Sequence, residues 1–412
     1  MSFIILELSN NMHQLEEKEK LDMPRKSTEN PNDSQDKENH KDNNSHLQSQ
    51  NQGNYQKKAC VELDPSSLIH QLGRDITINC LLRLSRSDYG SIAALNHHFR
   101  SLIRTGELYQ LRRKMDIIEH WVYFSCDPLQ WEAFDPNRGR WMHLPRMNSN
   151  ELFMLSDKES LAVGTNLLVF GTEIMTPTIY KYSLLTNEWT KGMKMNISRC
   201  LFGSASIGEI AILAGGCDLQ GNIFKHAELY NSDTNQWEIL PDMNTARKMC
   251  SGVFMDEKFY VLGGIGADKT TKLTSGEEFD LKTRKWHEIP NMCPPQNETA
   301  TYSEAPPLIA VVNNVLYVAD HAQQEIKRYV KDNNSWVTIG KLPERAFSMN
   351  GWGIAFRACG NQLFVIGGSS FDGRRVLEVN AWAPNNEDAP QWNLLARRQL
   401  RSFVYNCTVM GC

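Results

Sequence analysis

The sequence has no CxxC pair. Its ten cysteines are scattered singly along 412 residues, which argues against both a zinc site and a disulfide framework. Long apolar runs are also missing, since no stretch approaches the roughly 18 residues of a membrane span. The opening MSFIILELSN has a short apolar run but neither a basic flank nor a small-residue cleavage site, so it does not read as a secretory signal. Net charge is only −4, and nothing global points to nucleic acid or to a membrane surface. No nucleophile–base constellation is visible. The histidines are dispersed, and the adjacent pair His97-His98 reads as helix surface. The expectation is therefore a binding protein rather than an enzyme, with no cofactor and no metal, in a reducing intracellular compartment, nucleus or cytoplasm.

What is present falls into three zones. Residues 1–62 are rich in Asn, Gln, Lys, Glu, Asp and Ser, with almost nothing apolar between Met23 and Tyr55. Such a segment cannot bury enough surface to offset chain entropy, and a disordered tail is expected. Residues 64–118 have helical spacing. Ile76, Cys80, Leu81 and Leu84 fit one apolar face, and Ile92, Leu95, Phe99, Leu102 and Ile103 fit a second. Asp88 is placed to cap the second helix and Gly106 to stop it. The basic run Arg112-Arg113-Lys114 then reads as a solvated helix end.

From residue 119 to 412 the pattern is short strands and turns, and it repeats. Trp141, Trp189, Trp237, Trp286, Trp336 and Trp392 are spaced 48, 48, 49, 50 and 56 residues apart. Phe134, Tyr182, Tyr230, Phe279 and Tyr329 stand seven residues before five of them, and Trp382 takes that place in the last unit. Turn-forming residues lie between each aromatic and its Trp. Upstream is a strand ending in glycines, as in AILAGG, YVLGG and LFVIGG, although the fourth complete unit reads LYVADH instead. Each unit is four strands, a to d. A sheet this small buries its faces only by stacking on others, which predicts a β-propeller. Each Trp is expected to pack between blades, with a cost on removal of about 3–5 kcal/mol.

This pattern resembles the kelch family over residues 120–412. Counting units gives five complete blades. A sixth combines strands b to d from residues 120–145 with a last strand at 402–410 that closes the ring. The module at 64–118 resembles an F-box. Leu72 matches its opening Leu, and Ile76, Ile78, Cys80, Leu81 and Leu84 match its first helix face. Gly73 and Ser85 stand where that family usually has Pro, and Phe99 lies near a usual Trp. From the pattern alone, an ordinary helical cap on the propeller fits as well.

An F-box directly before kelch repeats is a familiar plant arrangement. The resemblance implies the substrate receptor of an SCF-type ubiquitin ligase, with a Skp-family adaptor, cullin and RING subunits as partners. Leu72, Ile76, Cys80, Leu81 and Leu84 are the expected adaptor contacts. The alternative is a kelch interaction scaffold without a ligase role. Some plant kelch proteins hold iron with an ExxxDxxxH motif. That spacing occurs at Glu38, Asp42 and His46, in the polar tail with no scaffold to fix it. Substrate contacts are expected on loops, above all Pro290–Pro307 and residues 263–277. Arg199, Arg247 and Arg345 recur after the Trp turns. They either bind acidic groups of a protein substrate or brace the turns themselves.

Overall fold

The structure, a computed structural model, describes residues 73–412 except 128, 150–152, 175, 294–304, 345–349, 369, 372–373, 386–388 and 401–403. The expected disordered tail, Leu72, Arg345 and the Glu38, Asp42, His46 spacing lie outside the described residues. No helix among those described is long and apolar enough to cross a membrane.

The tryptophan repeat folds into six antiparallel sheets, the blades of a β-propeller. Blade 1 is Asn406–Gly411, His120–Asp127, Gln130–Asp135 and Arg140–His143, in strand order a to d. Its strand a is thus the chain's last strand, pairing Met410 with Trp121 and Cys407 with Phe124. Blade 2 is Phe153–Val163, Asn166–Glu173, Thr176–Ser183 and Glu188–Lys191. Blade 3 is Gly203–Ile207, Ile210–Ala214, Ala227–Asn231 and Gln236–Leu240. Blade 4 is Ser251–Met255, Lys258–Leu262, Gly276–Asp280 and Lys285–Ile289. Blade 5 is Ile309–Val312, Val315–Asp320, Glu325–Val330 and Ser335–Lys341. Blade 6 is Ala355–Cys359, Gln362–Gly367, Arg374–Trp382 and Asn393–Leu400, with a short extra strand Ser370–Phe371 on its third. Each strand a contacts the strand a of both neighbouring blades, so the ring is closed. Antiparallel order then puts the a–b and c–d turns on one face of the disc and the b–c and d–a connections on the other.

The core lies between blades. Phe170 of blade 2 meets Phe202 and the buried Ala211 and Leu213 of blade 3, and Phe259 of blade 4 joins Ile212 and Ala214 of blade 3. The repeated aromatic on strand c is buried in every blade. In blades 1 to 5 it stacks obliquely on its Trp, with ring centroids 4.7 Å apart for Phe134–Trp141 and 4.9 Å for Tyr230–Trp237. The tryptophans themselves differ from expectation. Among the six only Trp189 is buried, and the other five are partly buried. The indoles of blades 2 to 6 nevertheless reach the preceding blade through hydrogen bonds. Trp189 Nε1 donates to Pro145 O at 2.8 Å, Trp237 to Met193 O at 3.0 Å, Trp286 to Pro241 O at 2.7 Å, Trp336 to Met292 O at 3.1 Å and Trp392 to Lys341 O at 2.9 Å. The tryptophan thus joins blades more by a polar handle than by full burial, and its removal costs less than a fully buried aromatic would.

The choice between Tyr and Phe on strand c has a local cause. Tyr182, Tyr230 and Tyr329 donate from the hydroxyl to Asn187, Asn235 and Asn334 Oδ1. Those asparagines hold the left-handed position of the c–d turn, at φ 56°, 54° and 51°. Blades 1 and 4 have Gly139 and Arg284 there and carry Phe134 and Phe279 instead. Blade 5, which lacks the double glycine, builds its b–c turn from a carboxylate. Asp320 Oδ1 accepts from Ala322 N at 3.1 Å and Gln323 N at 3.0 Å, and its Oδ2 pairs with Lys327 Nζ at 2.7 Å.

Candidate functional sites on the helical module and the loop face

The helical module comprises α1 (Arg74–Leu82), a 3₁₀ turn at Arg86–Asp88, α2 (Tyr89–Leu95), α3 (His97–Arg104) and α4 (Glu107–Lys114). The expected single second helix is two. Asn96 is extended, at φ −160° and ψ 171°, and its Oδ1 caps α3 by accepting from Phe99 N at 2.9 Å. Asp88 makes no side-chain cap, whereas Gly106 ends α3 as expected, in the left-handed conformation.

The burial of α1 is rotated from its apolar spacing. Thr77, Ile78, Leu81 and Leu82 face inward. Ile76 and Cys80, at i and i+4, lie on the exposed side, and Leu84 follows just past the helix end. Ile76 is 55% exposed, Leu84 40% and, from the second expected face, Leu95 72%. Of the expected adaptor contacts, then, Ile76, Cys80 and Leu84 are accessible. Leu81 is not: it is buried in the module's own core.

The two departures from the family's prolines cost little geometrically. Gly73 sits at φ −63° and Ser85 at φ −68°, close to the value a proline ring imposes. Ser85 adds polar bonds that proline cannot make. Its Oγ accepts from Ser87 N at 3.2 Å and donates to Glu119 Oε2 at 3.0 Å. Gly73→Pro is accordingly expected to stabilise the module by about 0.4–1 kcal/mol through the unfolded state. A rise in the urea midpoint of the module's helical circular dichroism checks it, and a fall would show strain.

The module is bolted to the propeller's a–b and c–d face. Arg86 is buried and works on both sides of the junction. Its Nη1 donates to Glu119 O at 2.8 Å and Met410 O at 3.3 Å, its Nη2 donates to the Tyr123 hydroxyl at 3.0 Å, and its guanidinium lies 4.2 Å over the Trp121 ring. Burial pushes the Tyr123 hydroxyl up to about 12, so it stays protonated and can accept that bond. Arg112 also departs from the solvated helix end expected of it. It is buried, donating to Leu82 O at 2.9 Å, Leu84 O at 2.7 Å and Glu119 Oε1 at 2.9 Å. Arg113 pairs with Glu209 in the a–b turn of blade 3, and Arg138 in blade 1 pairs with Asp88 at 3.1 Å.

The opposite face carries the b–c and d–a connections, including residues 263–277 and the described ends of the Pro290–Pro307 loop. Arg199 and Arg247 come from this side, but the structure turns them inward. Both side chains are 0% exposed, as are those of their partners Glu228 and Glu277. Arg199 Nη1 lies 2.6 Å from Glu228 Oε1, and Arg247 Nη2 lies 2.9 Å from Glu277 Oε1. The same carboxylates take backbone donors of the d–a connection, Asn196 N and Ile197 N on Glu228, Asn244 N and Thr245 N on Glu277. These arginines therefore brace the turns and present no charge to a partner. On the surface nearby, a shallow hollow opens between blades 2 and 3, lined among others by Thr172, Pro177, Lys194, Cys200, Cys217 and Leu219.

Comparison with known proteins fits this architecture. The Kelch motif matches residues 198–244 and 246–292, the third and fourth Trp units. The F-box/kelch-repeat protein At1g26930 of Arabidopsis thaliana is 57% identical over 356 residues, covering 85% of this chain and 84% of that protein. The chain belongs to the F-box/kelch-repeat family. Two further Arabidopsis F-box/kelch-repeat proteins, SKIP11 and At1g74510, are 56% and 54% identical, covering 85% and 84% of this chain and 76% and 80% of their own lengths. In this F-box/kelch-repeat protein the exposed Ile76, Cys80 and Leu84 lie on the helical module, and the loop face belongs to the kelch propeller. Sequence spacing had marked the first set. It could not separate Leu81, which fits the same stripe but is covered by the module's own helices.

Proposed function

We propose that the protein is the substrate-recognition subunit of an SCF-type E3 ubiquitin ligase. In this reading its F-box docks on a Skp-family adaptor, which connects to cullin and RING subunits, and the loop face of the propeller captures the protein to be modified. The chain then supplies binding and placement, and the ubiquitin-transfer chemistry belongs to its partners. The observation that carries this reading is the apolar surface that remains uncovered on a firmly docked module. A helical cap would turn Ile76, Leu84 and Leu95 onto the propeller. Instead the module grips the propeller through Arg86, Arg113 and Asp88 and leaves those residues to water. Docking on the a–b and c–d face also keeps the b–c and d–a loops clear for a substrate.

The test uses the exposed positions and spares Leu81, whose replacement would unfold the module. Ile76→Asp with Leu84→Asp places two charges where an apolar groove would have to desolvate them. Capture of a Skp-family adaptor is expected to fall at least about 100-fold, with thermal unfolding unchanged. Undiminished capture by a folded double variant would favour a kelch interaction scaffold with no ligase role.

A further inference from the structure

Blades 3 and 4 share a device on the loop face. After the double glycine, the chain turns back and pairs with the end of the preceding d–a connection. In blade 4 the pairing is antiparallel, Lys248 opposite Ile265. In blade 3 the same register sets Cys200 opposite Cys217. Cys200 N donates to Cys217 O at 3.0 Å and Cys217 N to Cys200 O at 2.8 Å. Such a hydrogen-bonded pair has Cα atoms about 5.5 Å apart, inside the roughly 4.4–6.8 Å that a disulfide spans. Gly216, at φ 97°, makes the approach possible, since a Cβ there would lie 2.6 Å from Cys200 O. Cys200 Sγ reaches Cys217 O at 3.4 Å, and the two thiols hydrogen-bond each other. Both line the hollow between blades 2 and 3, which gives small molecules a way in.

We propose that Cys200 and Cys217 form a modification site, a dithiol that hydrogen peroxide closes reversibly to a disulfide. The Cys217 thiolate attacks one peroxide oxygen. The S–O bond forms, the O–O bond breaks, and the departing hydroxide takes a proton to become water. The Cys200 sulfur then attacks the Cys217 sulfur. The S–S bond forms, the S–O bond breaks, and the Cys200 proton leaves in a second water. Two thiols are oxidised to one disulfide, and the peroxide is reduced to two waters. A dithiol reductant reverses the change by exchange.

The order of attack follows from the surroundings. The hydrogen bond from the Cys200 thiol and, after it, the Lys248 ammonium hold Cys217 below the usual thiol range, against the cost of burial. The isolated cysteines are set the other way. Burial pushes Cys250 up to about 11 and Cys126, Cys293 and Cys359 up to about 12. The bond would tie the d–a connection before blade 3 to that blade's b–c loop and stiffen one wall of the hollow. Its formation is independent of the receptor reading, and only an effect on substrate capture would rest on it.

The full chain, reduced and then exposed to graded peroxide, is alkylated, digested without reductant and analysed by mass spectrometry. The peptide linking Cys200 to Cys217 is expected at peroxide levels at least tenfold below those that oxidise Cys250 or Cys359, and dithiothreitol should remove it. In Cys200→Ser the link is lost, and a sulfenic acid at Cys217 becomes trappable by dimedone. Circular dichroism melting confirms that this near-isosteric variant is folded. No linked peptide at a peroxide level that already oxidises the exposed Cys80 would overturn the proposal, as would linkage of Cys217 to a different cysteine.

Discussion

Removing residues 406–412 is expected to unfold blade 1 and to loosen the helical module with it. The segment is small, but three separate functions meet in it. It is the inner strand of blade 1, paired with His120 to Ser125 of the next strand, and without it that blade has an open inner edge toward the ring's centre. It also buries Cys407, Met410 and Cys412, the first among the core residues shared with blade 6 and the other two beside the junction with the helical module. Finally, Met410 O is an acceptor for the buried Arg86, and Cys412 exchanges backbone bonds with Glu119, which itself holds Ser85 and Arg112. Truncation leaves Arg86 Nη1 with one acceptor fewer and the Glu119 N–H without its acceptor, at about 1–3 kcal/mol each, in addition to the lost apolar burial. The truncated chain should be cut by protease between residues 115 and 145 under conditions that spare the full chain. A synthetic peptide of residues 404–412 added in trans should restore protection. A truncated protein that melts within a few degrees of the full chain would show that the ring closes by other means.

The propeller was legible because its period is long and each unit carries several independent marks. The aromatic, the turn, the Trp and the glycines agree, and a lone strand at the end had one vacant place to go. The docking surfaces were less legible for a physical reason. Apolar spacing says which residues share a helix face but not whether that face turns inward. On α1 the stripe holding Ile76 and Cys80 also takes in Leu81, one position further on, and only tertiary packing, with α1 against α4 and the Tyr89 hydroxyl of α2 on Leu81 O, makes Leu81 core. The arginines show the same limit. Arg199 and Arg247 recur like a binding motif, yet their partners Glu228 and Glu277 lie 29 and 30 residues downstream. Spacing that long is not a sequence signal until the repeat is aligned, when both glutamates fall two residues before the strand c aromatic. Arg112 is harder still, since nothing in a basic run at a helix end announces that one of its members faces three acceptors inside the fold.

Arg247→Met is the sharpest test of that reassignment, and it is expected to cost about 3–5 kcal/mol. The reasoning turns on burial rather than distance. Arg247–Glu277 at 2.9 Å is longer than the surface pair Arg284–Glu238 at 2.6 Å. The surface pair is largely hydrated on both sides, and Arg284→Ala should change stability by less than about 1 kcal/mol. In the buried pair the carboxylate has been stripped of water and is tolerated because it accepts from the guanidinium and from Asn244 and Thr245. Methionine fills the space of the arginine stem but leaves Glu277 charged, dry and short of its counter-ion. It also removes the donor that Arg247 Nη1 supplies to Gly263 O and Ser275 O at 3.0 Å each, leaving Ser275 O with Gly263 N alone. Adding Glu277→Gln to Arg247→Met should recover part of the loss, because it removes the uncompensated charge while keeping an acceptor for the d–a backbone. Thermal melts of the four proteins supply the cycle, with the single Arg247→Met variant lowered by roughly 5–10 °C. If Arg247 instead bound acidic groups of a substrate, its replacement would leave the melt unchanged and weaken capture alone. An unchanged melt would return it to the loop face as a contact residue.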